Sequence, residues 1–303
     1  PFLRQPAPKG ESTAQRLKRP RESQVWPRAV QAIGAPPPGN QWVHLGDRYS
    51  DLFPFLAAAR EQECHFIVLA YENRRVRQED GTIDHLLTVA SPLSARDERV
   101  LDLPASHGHP ARRARVKLGI AALTLLPPRH DRHYPPLAAW LIRVWEVDAP
   151  PEVAEPIEWL LLTSVPTATM EQAWERVAWY SCRWVVEDYH SCLKTGCAIE
   201  QRHLHTRERL WRLLGFCAPL AVHLLQLRDL ARREPDHLAA EALPGELVRV
   251  LAALADVPLE TLTVGVFWQE VARFGGYLGR RRDGPPGWKT LWRGWRYLQT
   301  VLE

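Results

Sequence analysis

Residues 180–194 read YSCRWVVEDYHSCLK, with Tyr180, Arg183, Glu187 and Lys194 at offsets of 0, 3, 7 and 14 residues. The stretch from Met170 to Lys194 holds no Gly or Pro and predicts one long helix. At 100° per residue the four offsets fall within one stripe, so a single face would present a phenol, a guanidinium, a carboxylate and an ammonium over about 21 Å. Such a face suits phosphodiester chemistry, because a carboxylate can hold a divalent metal while Arg and Lys clamp phosphate oxygens. An ordinary exposed helix with Arg–Glu pairing carries the same residue types, for about 0.3 kcal/mol a pair. Spacing alone leaves both readings open.

Upstream, Trp42 to Gly46 is a short apolar run that breaks at Asp47, Ser50 to Glu63 has helical apolar spacing, and His65 to Ala70 is a second apolar run. Strand, helix and strand within thirty residues predict a βαβ unit, whose functional groups lie at the carboxyl ends of the strands. Asp47 lies at such an end, while Asp51 reads as a helix cap or a solvated loop acid. Residues 72–165 change to Pro- and Gly-punctuated alternating runs, among them Val116 to Leu126, Trp140 to Val147 and Glu158 to Thr163. Arg207 to Arg233 predicts a helix interrupted at Pro219. The spans divide as a flexible lead-in at 1–40, a partial α/β core at 41–71, a β-rich insertion at 72–165, the helix-bearing remainder of the core at 166–235, and a helical carboxyl-terminal domain at 236–303.

At 303 residues the chain is long enough to bury a full core. Its 39 Lys and Arg against 35 Asp and Glu give a net charge of +4, too small to identify a nucleic-acid binder by balance. Placement says more: from Arg273 to Arg296 basic residues outnumber the single acid, Asp283, and are interleaved with aromatics. A second basic knot at Arg112, Arg113, Arg115 and Lys117 reads as solvated surface. Five cysteines without paired spacing point to a reducing compartment rather than to a disulfide frame or zinc site. No apolar run approaches the eighteen or so residues of a membrane span, so no membrane partner is expected and the cytoplasm is the default.

The ordered set of motifs resembles the DDE transposases of the insertion-sequence-four group. Their signature of Tyr, two residues, Arg, three residues, Glu, six residues and Lys stands here at Tyr180, Arg183, Glu187 and Lys194. Residues 46–51 (GDRYSD), 158–164 (EWLLLTS), 224–228 (LLQLR) and 287–295 (GWKTLWRGW) are similar to further landmarks of that family. The resemblance implies a ribonuclease-H-like catalytic core, its first strands missing, with a β-rich insertion and an α-helical carboxyl-terminal domain. It implies Asp47 and Glu187 as catalytic metal ligands for Mg²⁺, with Mn²⁺ as a substitute. It also implies that Tyr180, Arg183 and Lys194 contact transposon-end DNA, and that Trp159 stacks on a flipped base. The implied partners are double-stranded DNA at terminal repeats, target DNA and a second copy of the chain, in a cytoplasmic, nucleoid-associated setting.

Two departures from the family follow. Leu69 stands where relatives carry an Arg that holds DNA, and no Asp precedes Asp47 to serve as the first of the three acids. With Pro rather than Met at position 1, the sequence reads as an amino-terminally truncated relative. Its activity is then either metal-dependent DNA cleavage and strand transfer, or that of a catalytically inactive DNA-binding or dimerising remnant. A metal-dependent nuclease on the same fold is the third reading.

Overall fold

A computed structural model describes residues 8, 10–12, 15 and 22–303, apart from 104–111, 152, 154, 155 and 281–283. Residues 1–7, 9, 13, 14 and 16–21 of the expected lead-in, and the tip of the basic run at 281–283, lie outside the described residues. The chain divides into two compact units, Pro1–Arg183 and Trp184–Glu303. That division falls inside the 166–235 span drawn from the sequence.

The first unit is built on one mixed sheet. Its elements are α1 (Val25–Ile33), β1 (Val43–Gly46), α2 (Phe53–Glu61), β2 (His65–Leu69), β3 (Arg75–Gln78), β4 (Ile83–His85), α3 (Leu86–Ala90), β5 (Asp97–Leu103), β6 (Arg112–Leu125), β7 (Leu137–Glu146), β8 (Glu158–Thr163) and α4 (Met170–Ser181). The strand order is β1-β2-β8-β7-β6-β3-β4, with β5 also pairing β6. Among the described strands only β1 and β2 run parallel, joined through α2 as the sequence predicts, and the other pairs are antiparallel. The strands of 72–165 therefore extend the same sheet, because β8 pairs directly with β2.

Both faces of this sheet are covered, which explains why β2 is an unbroken apolar run. Phe66 and Val68 pack with α1, α2 and α3 on one face, and Ile67 packs with Ala173, Trp174, Val177 and Tyr180 of α4 on the other. Helix α4 starts where the Thr169 hydroxyl and Gln172 side chain form a reciprocal capping box. Its middle is fastened to β5 by Trp174 Nε1, which donates to Asp97 Oδ2 at 2.7 Å. Within the basic knot Arg112 pairs with the buried Glu146, while Arg113 and Arg115 pair with Asp102, Glu98 and Asp148 on the exposed surface.

The expected single helix from Met170 to Lys194 is not continuous. Helix α4 ends at Ser181, and the next helix, α5, spans Trp184–Ser191. Two side chains at the break bond back to carbonyls four residues earlier: Ser181 Oγ to Val177 O at 3.0 Å and Cys182 Sγ to Ala178 O at 3.6 Å. Such back-bonds compete with the helical ladder. The amides of Cys182 and Arg183 accordingly turn to carbonyls three residues back, Trp179 O and Tyr180 O. The local pattern showed no Gly or Pro, so this break was invisible to a rule based on breakers.

The second unit is helical: α5, a π-turn at Cys192–Gly196, α6 (Arg207–Arg233), α7 (Ala239–Ala242), α8 (Gly245–Ala255), α9 (Val264–Phe274) and α10 (Trp288–Leu302). Leu224, Leu251, Phe267, Val271, Leu291 and Leu298 lie at its apolar centre. Helix α6 keeps Pro219 within its span, and by length and composition it is long enough and apolar enough to cross a membrane, which the reading of apolar runs had missed. Its most apolar stretch is 22% buried, and Ala221, Leu224 and Leu227 of α6 join this core.

Helices α9 and α10 meet through glycine. A Cβ on Gly294 would collide with the Val271 carbonyl, and one on Gly275 with the Thr290 carbonyl. Both obstacles are backbone, which cannot swing away as a flexible side chain can. Gly294→Ala is therefore expected to destabilise the helical unit by about 1–3 kcal/mol through overpacking. Urea unfolding followed by tryptophan fluorescence checks this, and a wild-type midpoint would show that the helices separate without cost.

Candidate active site

Parallel pairing brings the carboxyl ends of β1 and β2 to one edge of the sheet, with Gly46 opposite Val68. Because β8 runs antiparallel to β2, its first residues reach the same edge, where Ala70 N donates to Leu160 O at 2.7 Å. Asp47, Tyr71 and Trp159 therefore leave or enter strands at one common place. Open α/β sheets bind ligands at such an edge.

Asp47 caps the turn Arg48–Ser50, its Oδ1 accepting the Tyr49 amide at 3.0 Å. The turn closes tightly, with Ser50 Oγ donating to the Asp47 carbonyl at 2.7 Å. Gly46 is needed here, since a Cβ at that position would overlap the Ser50 side chain. Asp47 is partly exposed, and its second carboxylate oxygen accepts no hydrogen bond from the described residues.

Asp51, four residues on, is neither a cap nor a solvated acid. Its side chain is fully buried, accepts the amides of Tyr71 and Glu72 at 2.8 and 2.9 Å, and pairs with Arg74. It ties the loop after β1 to the loop after β2. Of the two acids in the segment, only Asp47 is placed to meet a ligand.

Tyr180 is 5% exposed and packs in the core beneath α4, its ring edge-on to Trp159 with centroids 6.0 Å apart. Burial pushes its phenol above the ordinary value, opposed by Arg183; the Asp47 carboxylate pushes the same way as burial. Arg183 Cζ lies 5.9 Å from the Tyr180 ring centre. Asp47, Trp159, Tyr180 and Arg183 thus form one neighbourhood in the first unit. Here the structure differs from the sequence reading, which put Tyr180 on an exposed stripe.

Glu187 and Lys194 belong to the second unit. Glu187 is exposed on α5, and Lys194 is exposed on the π-turn, 3.2 Å from Glu200. The neighbour of Glu187, Asp188, is held by Arg228 of α6, whose guanidinium also lies 4.5 Å over the Trp288 ring. Sequence reasoning gave Arg228 no role, although it closes the 224–228 landmark and touches the first Trp of the 287–295 landmark. Lys289, Arg293 and Arg296 are exposed on α10, and Arg273 pairs with Glu270.

A model of the transposase DDE domain family matches residues 22–223, two thirds of the chain. The chain belongs to this family. DDE transposases bind DNA and are nuclease-type enzymes that generally use divalent metal ions. In this DDE transposase the match spans the first unit from residue 22 onward and continues through α5 and more than half of α6.

The donors test the fit of a metal. Asp47 suits a hard cation, with one oxygen fixed by backbone and the other open. Among the described residues no group of three His, Cys, Asp or Glu side chains forms a metal cluster. Asp47 fits as one ligand, and the set is not complete around it.

Proposed function

We propose that this protein is a DNA transposase of the insertion-sequence-four group. It cleaves transposon ends at terminal repeats and transfers them to target DNA, on a ribonuclease-H-like core. The observation that carries this reading is Asp47 at the shared sheet edge, open on one oxygen and next to Tyr180 and Arg183, in a chain of the DDE family.

Asp47 and Glu187 would hold Mg²⁺, or Mn²⁺ in its place. When bound, the metal lowers the pKa of an attacking water and offsets charge on the leaving oxygen. The protein's own groups position the strand. Arg183 offers its guanidinium to a phosphate, and the buried Tyr180 fixes that guanidinium from below. Trp159 is partly buried at the sheet edge, and its remaining apolar face would take a base extruded from the duplex. Arg228 orients Asp188 and so steadies the turn of α5 that carries Glu187. The helices after Pro244 are the proposed contact between two copies bridging two ends, in a cytoplasmic, nucleoid-associated protein.

The test is Mg²⁺-dependent nicking of a labelled terminal-repeat duplex beside an unrelated duplex of equal length. Preferential nicking at the repeat end is expected. Equal cleavage of both would replace the transposase with a general nuclease.

Lys194 carries a separate expectation. Its pairing with Glu200 is between two exposed groups, 57% and 65% accessible, so exchange of that partner for a phosphate costs little. Lys194→Ala should lower the slope of log affinity against log salt by about 0.9. An unaltered slope would remove Lys194 from the phosphate contacts.

A further inference from the structure

Among the described residues of the first unit the two most exposed large apolar side chains are Tyr49, 71% accessible, and Tyr71, 67% accessible. Solitary exposed aromatics are common on any surface, but these two are not solitary. Tyr49 lies in the turn after β1 and Tyr71 in the loop after β2, at the edge where the parallel strands end together. Each backbone amide is fixed by a carboxylate of the 47–51 turn: Tyr49 N on Asp47 Oδ1 and Tyr71 N on Asp51 Oδ2. The residues are thus rigidly held by their main chains while their rings face solvent.

A folding argument does not account for this. Neither ring joins an apolar cluster, so neither stabilises the core. Two further features suit a nucleic acid. The Arg48 guanidinium lies 5.7 Å from the Tyr49 ring centre. The Asp51–Arg74 clamp also lines a cavity of about 690 Å³, together with Arg75, Arg129 and Arg132, which form no ion pair among the described residues, and with the acids Glu72 and Asp131. Aromatic faces beside guanidinium groups are how proteins hold single strands: bases stack, and cations follow the phosphates.

We propose that Tyr49 and Tyr71 form a stacking platform for unpaired bases of the DNA strand that passes Asp47. Arg48 and the cavity arginines receive its phosphates. Fully paired ends keep their bases stacked on one another and cannot use the platform; frayed or single-stranded flanks can. This role is distinct from that of Trp159, which sits at β8 and is partly covered by Tyr180. The inference rests on the reading of the chain as a DNA-acting transposase.

The experiment compares binding of the full chain to two fluorescent terminal-repeat DNAs, one fully paired and one with a few unpaired nucleotides beyond the repeat. Wild type should bind the unpaired flank more tightly, and 2-aminopurine placed in the flank should be quenched. Tyr49→Ala and Tyr71→Ala should each weaken binding of the flanked DNA by about 5- to 150-fold, with paired DNA unaffected. Tyr→Phe at either position should restore it, because stacking needs the ring and not the hydroxyl. Wild-type affinity of the double alanine variant for the flanked DNA overturns the platform. So does equal loss in the Phe and Ala variants, which would assign the hydroxyls instead. If wild type binds neither DNA, the transposase reading itself fails, a result separate from the other two.

Discussion

Asp51→Ala is expected to destabilise the first unit by about 3–5 kcal/mol, the range for removing one partner of a buried ion pair. The side chain is wholly inaccessible and Arg74 is 9% accessible, so the alanine variant leaves a guanidinium buried without its counter-charge. Two amides, of Tyr71 and Glu72, lose their acceptor at the same time. Urea unfolding of the variant reads the loss, and hydrogen exchange at the two amides locates it. Asp51→Ala combined with Arg74→Ala should cost less than the two single changes added together, because the stranded charge is then gone. An unfolding midpoint equal to wild type would show that this clamp does not hold the two loops.

Asp51 also marks what could be read from the sequence and what could not. The acid was visible, but its partner lies 23 residues away in the loop after β2, and no local rule connects them. Strand β2 and the apolar runs of β6, β7 and β8 were legible because burial on a sheet face writes itself into residue type. The joining of the 72–165 strands to the core sheet was not, since it depends on β8 pairing with β2 across almost a hundred residues. Tyr180 illustrates a third limit. Its spacing to Arg183 was correct, but helical periodicity assumes continuity, and side-chain back-bonding at Ser181 and Cys182 ended the helix between them.

The candidate site was legible through motif order more than through pattern. The sequence named Asp47, Trp159, Tyr180 and Arg183 separately, and the first unit places these four together. Tyr49 and Tyr71 left no signal, because an exposed tyrosine in a loop looks the same whether it serves a ligand or nothing. What distinguishes them is the parallel pairing of β1 and β2, a tertiary fact.

Asp47→Asn separates the chemistry of this site from its architecture. Asparagine keeps an oxygen at the Oδ1 position, so the Tyr49 amide retains its acceptor and the Arg48–Ser50 turn keeps its cap. The carboxylate charge is lost, and with it the affinity of a neutral amide oxygen for a hard cation falls. Stability should therefore stay within about 0.5 kcal/mol of wild type. Mn²⁺ affinity, measured by titration calorimetry, should drop at least about tenfold, and metal-dependent nicking should fall by about 10³-fold or more. Glu187→Gln should match it in nicking while sparing DNA binding, since the amide preserves shape. Asp47→Ala supplies the contrast, losing the cap as well and about 1 kcal/mol of stability. Nicking and Mn²⁺ affinity unchanged in Asp47→Asn would mean that the open oxygen at the sheet edge holds no metal, and the catalytic assignment of Asp47 would fall with it.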